Sequence, residues 1–99
     1  MEEPEPAPPA ITVELFGMLR LLAGGGRIAL PWREGLTLAD LPPRLAEACP
    51  ALRGKVVDDA GRLVPGHVFN LNGRDFVRDP ARPVHPGDCV LLLSADAGG

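Results

Sequence analysis

The chain has 99 residues, 45% of them hydrophobic, and a formal net charge of −3. That length allows one domain with one modest core. No apolar run approaches the length needed to cross a bilayer, and no basic run is interleaved with aromatic residues, so neither a membrane nor nucleic acid is expected as a main partner.

Residues 1–10 hold four prolines and three glutamates, with Met1 the only large apolar residue. Such a stretch buries nothing that would offset its ordering entropy, so a disordered acidic, Pro-rich arm is expected there. Without Glu2, Glu3 and Glu5 the chain has ten acidic and ten basic residues, which leaves the folded part near neutrality. Met1-Glu2-Glu3-Pro4 has neither the basic nor the apolar region of a signal peptide, and a cytoplasmic location is expected.

Ile11-Thr12-Val13-Glu14-Leu15 alternates apolar and polar, which predicts a strand with Ile11, Val13 and Leu15 on one face. The apolar stretch from Phe16 to Leu22 has room for a turn or two of helix. Gly24-Gly25-Gly26 lacks the Gly-Lys-Ser/Thr ending of a phosphate-binding loop and reads as a connection. Arg27 to Leu30 resumes as a strand, so the first two strands form a hairpin with a long loop.

Thr37-Leu38-Ala39-Asp40 has the spacing of a helix cap with an acid three residues on. Leu38, Leu41, Leu45 and Ala48 then follow at helical spacing. Pro42-Pro43 complicates the start: with Thr37 as the cap Pro42 falls in the second turn, where it costs about 3 kcal/mol. With Asp40 as the cap both prolines sit in the first turn and cost little. A late or kinked start is expected, with a regular stretch over 44–49.

Residues 52–63 read as irregular, with a turn at Asp58-Asp59-Ala60-Gly61. Val68-Phe69-Asn70-Leu71 alternates and is followed by Asn72-Gly73, a pair suited to a turn with two positive φ angles. Phe69 and Leu71 are expected inside and His67 at the strand's edge. Arg74 to Val77 returns briefly, and a second turn over 82–88 leads into Cys89-Val90-Leu91-Leu92-Leu93. Strands on both sides of one helix predict an α+β fold, a mixed sheet of four to five strands curled around that helix.

In the last strand Val90 and Leu92 are expected to face the helix. Leu91 and Leu93 then face outward, where solvent-facing positions are normally polar, and they are expected to form a docking patch with Phe16. Residues 94–99, Ser-Ala-Asp-Ala-Gly-Gly, read as a slim flexible tail. Cys49 and Cys89 are far apart and match no zinc or iron–sulfur spacing, so they read as ordinary small apolar residues.

Several short pieces carry a resemblance. These are Leu15-Phe16-Gly17-Met18-Leu19-Arg20, Thr37-Leu38-Ala39-Asp40-Leu41, Leu71-Asn72-Gly73-Arg74, Pro86-Gly87-Asp88-Cys89-Val90 and Ala97-Gly98-Gly99. In this order they resemble the ubiquitin-like β-grasp sulfur carriers, nearest the small subunit of molybdopterin synthase (molybdopterin-converting factor subunit 1), with the thiamine sulfur carrier a cousin. The resemblance covers the chain from Ile11 onward and implies a β-grasp domain over 11–93.

It also implies that an activating enzyme, using ATP and magnesium, adenylates the Gly99 carboxylate, and that a sulfur donor converts it to a thiocarboxylate. Gly98, Ala97 and Asp96 would thread the partners' active sites. The carrier would bind no cofactor and supply no catalytic residue, and its acceptor would be a molybdopterin synthase large subunit or another sulfur-acceptor enzyme. Asp96 stands where the family commonly has an apolar residue, which points to an acceptor with a basic groove. Carriers for thiamine, cysteine or tRNA thiolation, a ubiquitin-like modifier joined to lysines, and a non-covalent β-grasp binding module remain as alternatives.

Overall fold

The computed structural model of the chain describes residues 9–94. The acidic arm up to Pro8 and the tail segment 95–99, with Asp96, Ala97, Gly98 and Gly99, lie outside the described residues. Five strands and two helices follow one another as β1 (Ala10–Leu15), α1 (Met18–Ala23), β2 (Arg27–Pro31), α2 (Leu41–Ala48), β3 (His67–Leu71), β4 (Asp75–Val77) and β5 (Cys89–Ser94). They build one mixed sheet in the order β2-β1-β5-β3-β4. β1 runs parallel to β5, and the other neighbours are antiparallel. The expected α+β architecture is therefore observed, with β1 beginning one residue before the expected boundary and β5 continuing one residue past it, to Ser94.

One face of the sheet carries Ile11, Val13, Leu15, Leu30, Phe69, Leu71, Val90 and Leu92, all buried, and closes on α2. Alternation puts these residues on a single face because successive side chains of a strand point to opposite sides. The start of α2 reconciles the two expected caps. Leu38–Asp40 form a 3-10 turn behind Thr37, whose N–H and hydroxyl both donate to the Asp40 carboxylate, at 2.9 and 3.2 Å. The α-helix proper then begins at Leu41, with Asp40 in the cap position and both prolines in the first turn, where no N–H is missed.

The buried stripe of α2 is Leu41, Pro42, Leu45 and Ala46, whereas Ala48, expected on that stripe, is exposed. Around the helix axis Ala48 lies only about 20° from Leu41, but it is the last residue of α2 and lies beyond the buried stretch 41–46. The stretch after α2 is irregular as expected, but it supplies core: Leu52, Val56 and Val57 are all buried. Asp58 organises its turn, its carboxylate accepting from the Ala60 and Arg62 N–H groups at 2.9 and 3.0 Å.

The turn between β3 and β4 has φ of 56° at Asn72 and 73° at Gly73, the two positive angles the dipeptide predicts. Asn72 also fastens the start of β5. Its N–H donates to the Cys89 carbonyl, its side-chain carbonyl accepts from the Cys89 N–H at 2.8 Å, and its amide reaches Asp88 at 3.2 Å.

Candidate functional site

The face of the sheet turned away from α2 is built by the alternate residues of the same strands. Strand register sets a row across it, Arg27–Glu14–Leu91–Asn70–Phe76, with Leu93 and Val68 paired one step further along. Leu91 and Leu93 are half-buried, Phe16 is 42% exposed and Phe76 is 69% exposed. Phe16 directly follows Leu15, the last residue of β1 paired to β5, and precedes the turn at Gly17. Of the three residues expected to dock a partner, Leu91 and Leu93 lie on this face and Phe16 stands just past the end of β1. Met18 and Leu21, on the solvent side of α1 and both strongly exposed, extend apolar surface beyond Phe16.

Gly17 sets the direction in which the chain leaves β1. Its φ of 59° and ψ of −132° lie in a region that only glycine enters without strain, and a Cβ there would meet nothing, so the requirement is one of backbone rather than of space. The resulting turn leaves Phe16 on the surface and buries Leu19 beneath α1.

Phe76 was not anticipated as part of this face. A two-residue hairpin loop would set Leu71 opposite Arg74 and therefore Phe76 opposite Phe69, inside the core. The structure keeps the turn, with Arg74 N–H donating to Leu71 O at 3.0 Å, but pairs Leu71 with Asp75. One extra residue shifts the register and exchanges the faces, turning Val77 inward and Phe76 outward. The signal available in the sequence was Val77, which is as apolar as Phe76 and completes the core equally well.

Asn70 is a second departure from simple alternation. It lies on the outer face yet is only 5% exposed, and among the described residues its Oδ1 is buried without a hydrogen-bond partner. Burial of such a carbonyl costs free energy, and its neighbours in the row are Leu91 and Phe76.

Arg27 pairs with Glu14 at 3.2 Å in an exposed position, worth little to stability. The Cys89 thiol is pushed above its ordinary value, by burial first and by the Glu14 charge second, which disfavours the nucleophilic thiolate. Cys49 packs against the core with its sulfur 4.0 Å from the Ala23 carbonyl. Among the described residues no group of three or more His, Cys, Asp or Glu side chains is placed to hold a metal. Among the same residues no helix is long and apolar enough to cross a membrane.

A mixed five-stranded sheet with the last strand in its middle and one main helix across one face is the ubiquitin-like β-grasp. The chain is similar to SAMP1, a small archaeal modifier protein, from Haloferax volcanii, with 26% identity and a TM-score of 0.78 over 91% of this chain and 99% of that one. Two further likenesses are of fold alone. Small archaeal modifier protein 1 from Methanosarcina acetivorans has 23% identity and a TM-score of 0.68, over 92% of this chain and 97% of that one. A putative molybdopterin converting factor, subunit 1, from Pyrococcus furiosus has 21% identity and a TM-score of 0.66, over 86% and 95%. No protein-family model matches the chain, and no curated protein does. The solved neighbours agree with the ubiquitin-like β-grasp fold that the sequence resemblance implies.

Proposed function

We propose that the chain is a β-grasp sulfur carrier whose Gly99 carboxylate is adenylated and then converted to a thiocarboxylate. One topological observation supports this most. β5 lies in the middle of the sheet, parallel to β1, and ends at Ser94 on the same edge as Phe16. Residues 95–99 therefore start from a rigid strand bordered by an apolar face. A partner that seats Phe16, Leu91, Leu93 and Phe76 receives the tail at a fixed point, with Asp96, Ala97 and Gly98 leading Gly99 into its active site.

The chemistry asks little of the carrier. The Gly99 carboxylate oxygen attacks the α-phosphorus of ATP, expelling pyrophosphate and making a mixed anhydride with AMP as leaving group. Hydrosulfide then attacks the acyl carbon, AMP departs and a thiocarboxylate remains. ATP and magnesium are held by the activating enzyme, and the carrier binds no cofactor. In this reading the carrier is the non-catalytic small subunit of a cytoplasmic molybdopterin synthase-like complex, and the synthase large subunit takes the sulfur for molybdopterin. The likeness to SAMP1 favours a second reading, in which the activated Gly99 is joined to lysine amines of other proteins.

The test is the intact mass of the full chain after incubation with ATP, magnesium, sulfide and an activating enzyme. The expected result is the gain from replacing one oxygen by sulfur, localised by fragmentation to Gly99 and absent when Gly99 is deleted. Localisation matters because oxidation of Met1 or Met18 adds nearly the same mass. Conjugates on lysines would establish the modifier. An unchanged Gly99 with several activating enzymes would refute both readings.

A further inference from the structure

β3 is longer than the strand that covers its outer edge. Its ladder with β4 ends at the Phe69–Val77 pair, while β3 reaches back to His67, which pairs with Ser94 on the β5 side. Antiparallel alternation fixes where its backbone groups point. Asn72 N–H donates to Cys89 O at 2.7 Å, so even-numbered residues of β3 bond toward β5 and odd-numbered ones toward β4. Leu71 and Phe69 meet Asp75 and Val77, but the N–H and C=O of His67 aim at the place where the β4 ladder has stopped.

The chain after Val77 is held away from that place. The Asp79 carboxylate and carbonyl accept from the N–H groups of Ala81 and Arg82, at 3.0 and 3.1 Å. The carbonyls of Pro80 and Arg82 accept from Ala39 and Leu38, each at 3.0 Å, which ties the loop to the start of α2. A cleft of about 590 Å³ opens there, walled by Leu38, Pro42, Leu63, Phe69 and Val77. Arg62 and Arg78, both exposed, stand on its rim. Among the described residues neither has a carboxylate within ion-pair distance, and the one acid lining the cleft, Asp79, is occupied with its own loop. The His67 ring is turned aside, its Nδ1 2.8 Å from the Val64 carbonyl.

We propose that this cleft binds an extended acidic segment of a partner protein, added to the sheet as a short edge strand at His67. An unpaired strand edge accepts such a segment through main-chain hydrogen bonds, while side-chain pockets select it. Here an apolar side chain fills the cleft, and flanking carboxylates meet Arg62 and Arg78. The site lies at the β4 edge of the sheet, apart from the Phe16–Leu93 face, and owes nothing to the chemistry at Gly99.

The test is an amide NMR titration of the full chain with a synthetic peptide Glu-Asp-Val-Ile-Val-Asp-Glu and a control, Lys-Lys-Val-Ile-Val-Lys-Lys. The acidic peptide is expected to move the amides of His67, Val77 and Arg78 and to slow hydrogen exchange at His67. The control peptide, and the double variant Arg62→Glu/Arg78→Glu, are each expected to bind at least about tenfold more weakly, consistent with loss of two charge-assisted contacts. Both arginines are exposed, and an unchanged spectrum elsewhere in the variant shows that it remains folded. Equal binding of the two peptides, no shift at His67, or shifts centred on Phe16 and Leu93 would overturn the proposal. A further variant lacking residues 2–8 separates an internal occupant: movement of the His67 amide on that deletion, without peptide, would assign the cleft to the chain's own arm instead.

Discussion

Leu92 and Leu93 are adjacent in β5 and belong to opposite faces, so truncating each tests whether the two faces have different tasks. Leu92 is fully buried against α2, and Leu93 is half-buried on the outer face beside Val68. Leu92→Ala removes core packing and leaves a cavity, a loss of about 2–5 kcal/mol. A domain of this size is worth about 4–13 kcal/mol in total, so the substitution takes a large fraction of it. Its melting temperature should fall by more than about 10 °C, since each kcal/mol moves the midpoint of so small a domain by about 4–8 °C. Leu93→Ala gives up only the buried part of one leucine, about 1 kcal/mol. Urea melts of the two variants, with m-values unchanged, measure the difference directly. Equal destabilisation would refute the assignment of the outer face to docking, because Leu93 would then be core.

Gly17→Ala should destabilise by about 1–3 kcal/mol in the same melts, because alanine cannot adopt that backbone without strain, although space is open around it. Asn72→Ala removes the residue at positive φ and both side-chain bonds to the start of β5, and should cost about 1–3 kcal/mol with faster amide exchange at Cys89. The Asp40 carboxyl is held below its ordinary value of 3.8, chiefly by the Thr37 N–H bond. A depressed carboxyl gives stability that is present above the unfolded value and lost as pH falls through the folded one. Below about pH 4, Asp40→Asn should therefore lose stability less steeply than the parent chain in melts taken across that range. Glu14→Gln should speed alkylation of Cys89 at mildly alkaline pH, because the carboxylate is one of the groups that raise the thiol's pKa.

The apolar alternation of β1, the Leu41–Leu45 spacing and the Asn72-Gly73 turn each express a local rule, and each was legible in the sequence. The facing of Leu91 and Leu93 was legible for the same reason: a five-residue apolar run in a two-faced sheet has to place some of its residues outside. Phe76 was hidden because Phe76 and Val77 can both fill the core, and only the extra residue at Arg74 decides between them. Asn70 was hidden because a polar residue in an alternating strand reads as exposed, whereas it sits between two neighbouring strands, paired with Leu91 and Phe76. Ala48 was placed on the buried stripe by its spacing, and it does lie on the side of Leu41, but it is the last residue of α2 and the burial of the helix stops at Ala46. The cleft beside His67 depends on where β4 stops, a tertiary outcome with no sequence period.

The central position of β5 has a consequence for synthesis of the chain. In the order β2-β1-β5-β3-β4 the two hairpins share no ladder, and only β5 joins them. Isolated two-stranded hairpins are marginal in water and expose open edges. A nascent chain therefore cannot join the two halves of this sheet until β5 has left the ribosome. Chains broken off before Cys89 are open to degradation rather than folding into a decoy. The sheet, and with it the apolar face that spans β1, β5 and β3, exists only in chains in which β5 has been made.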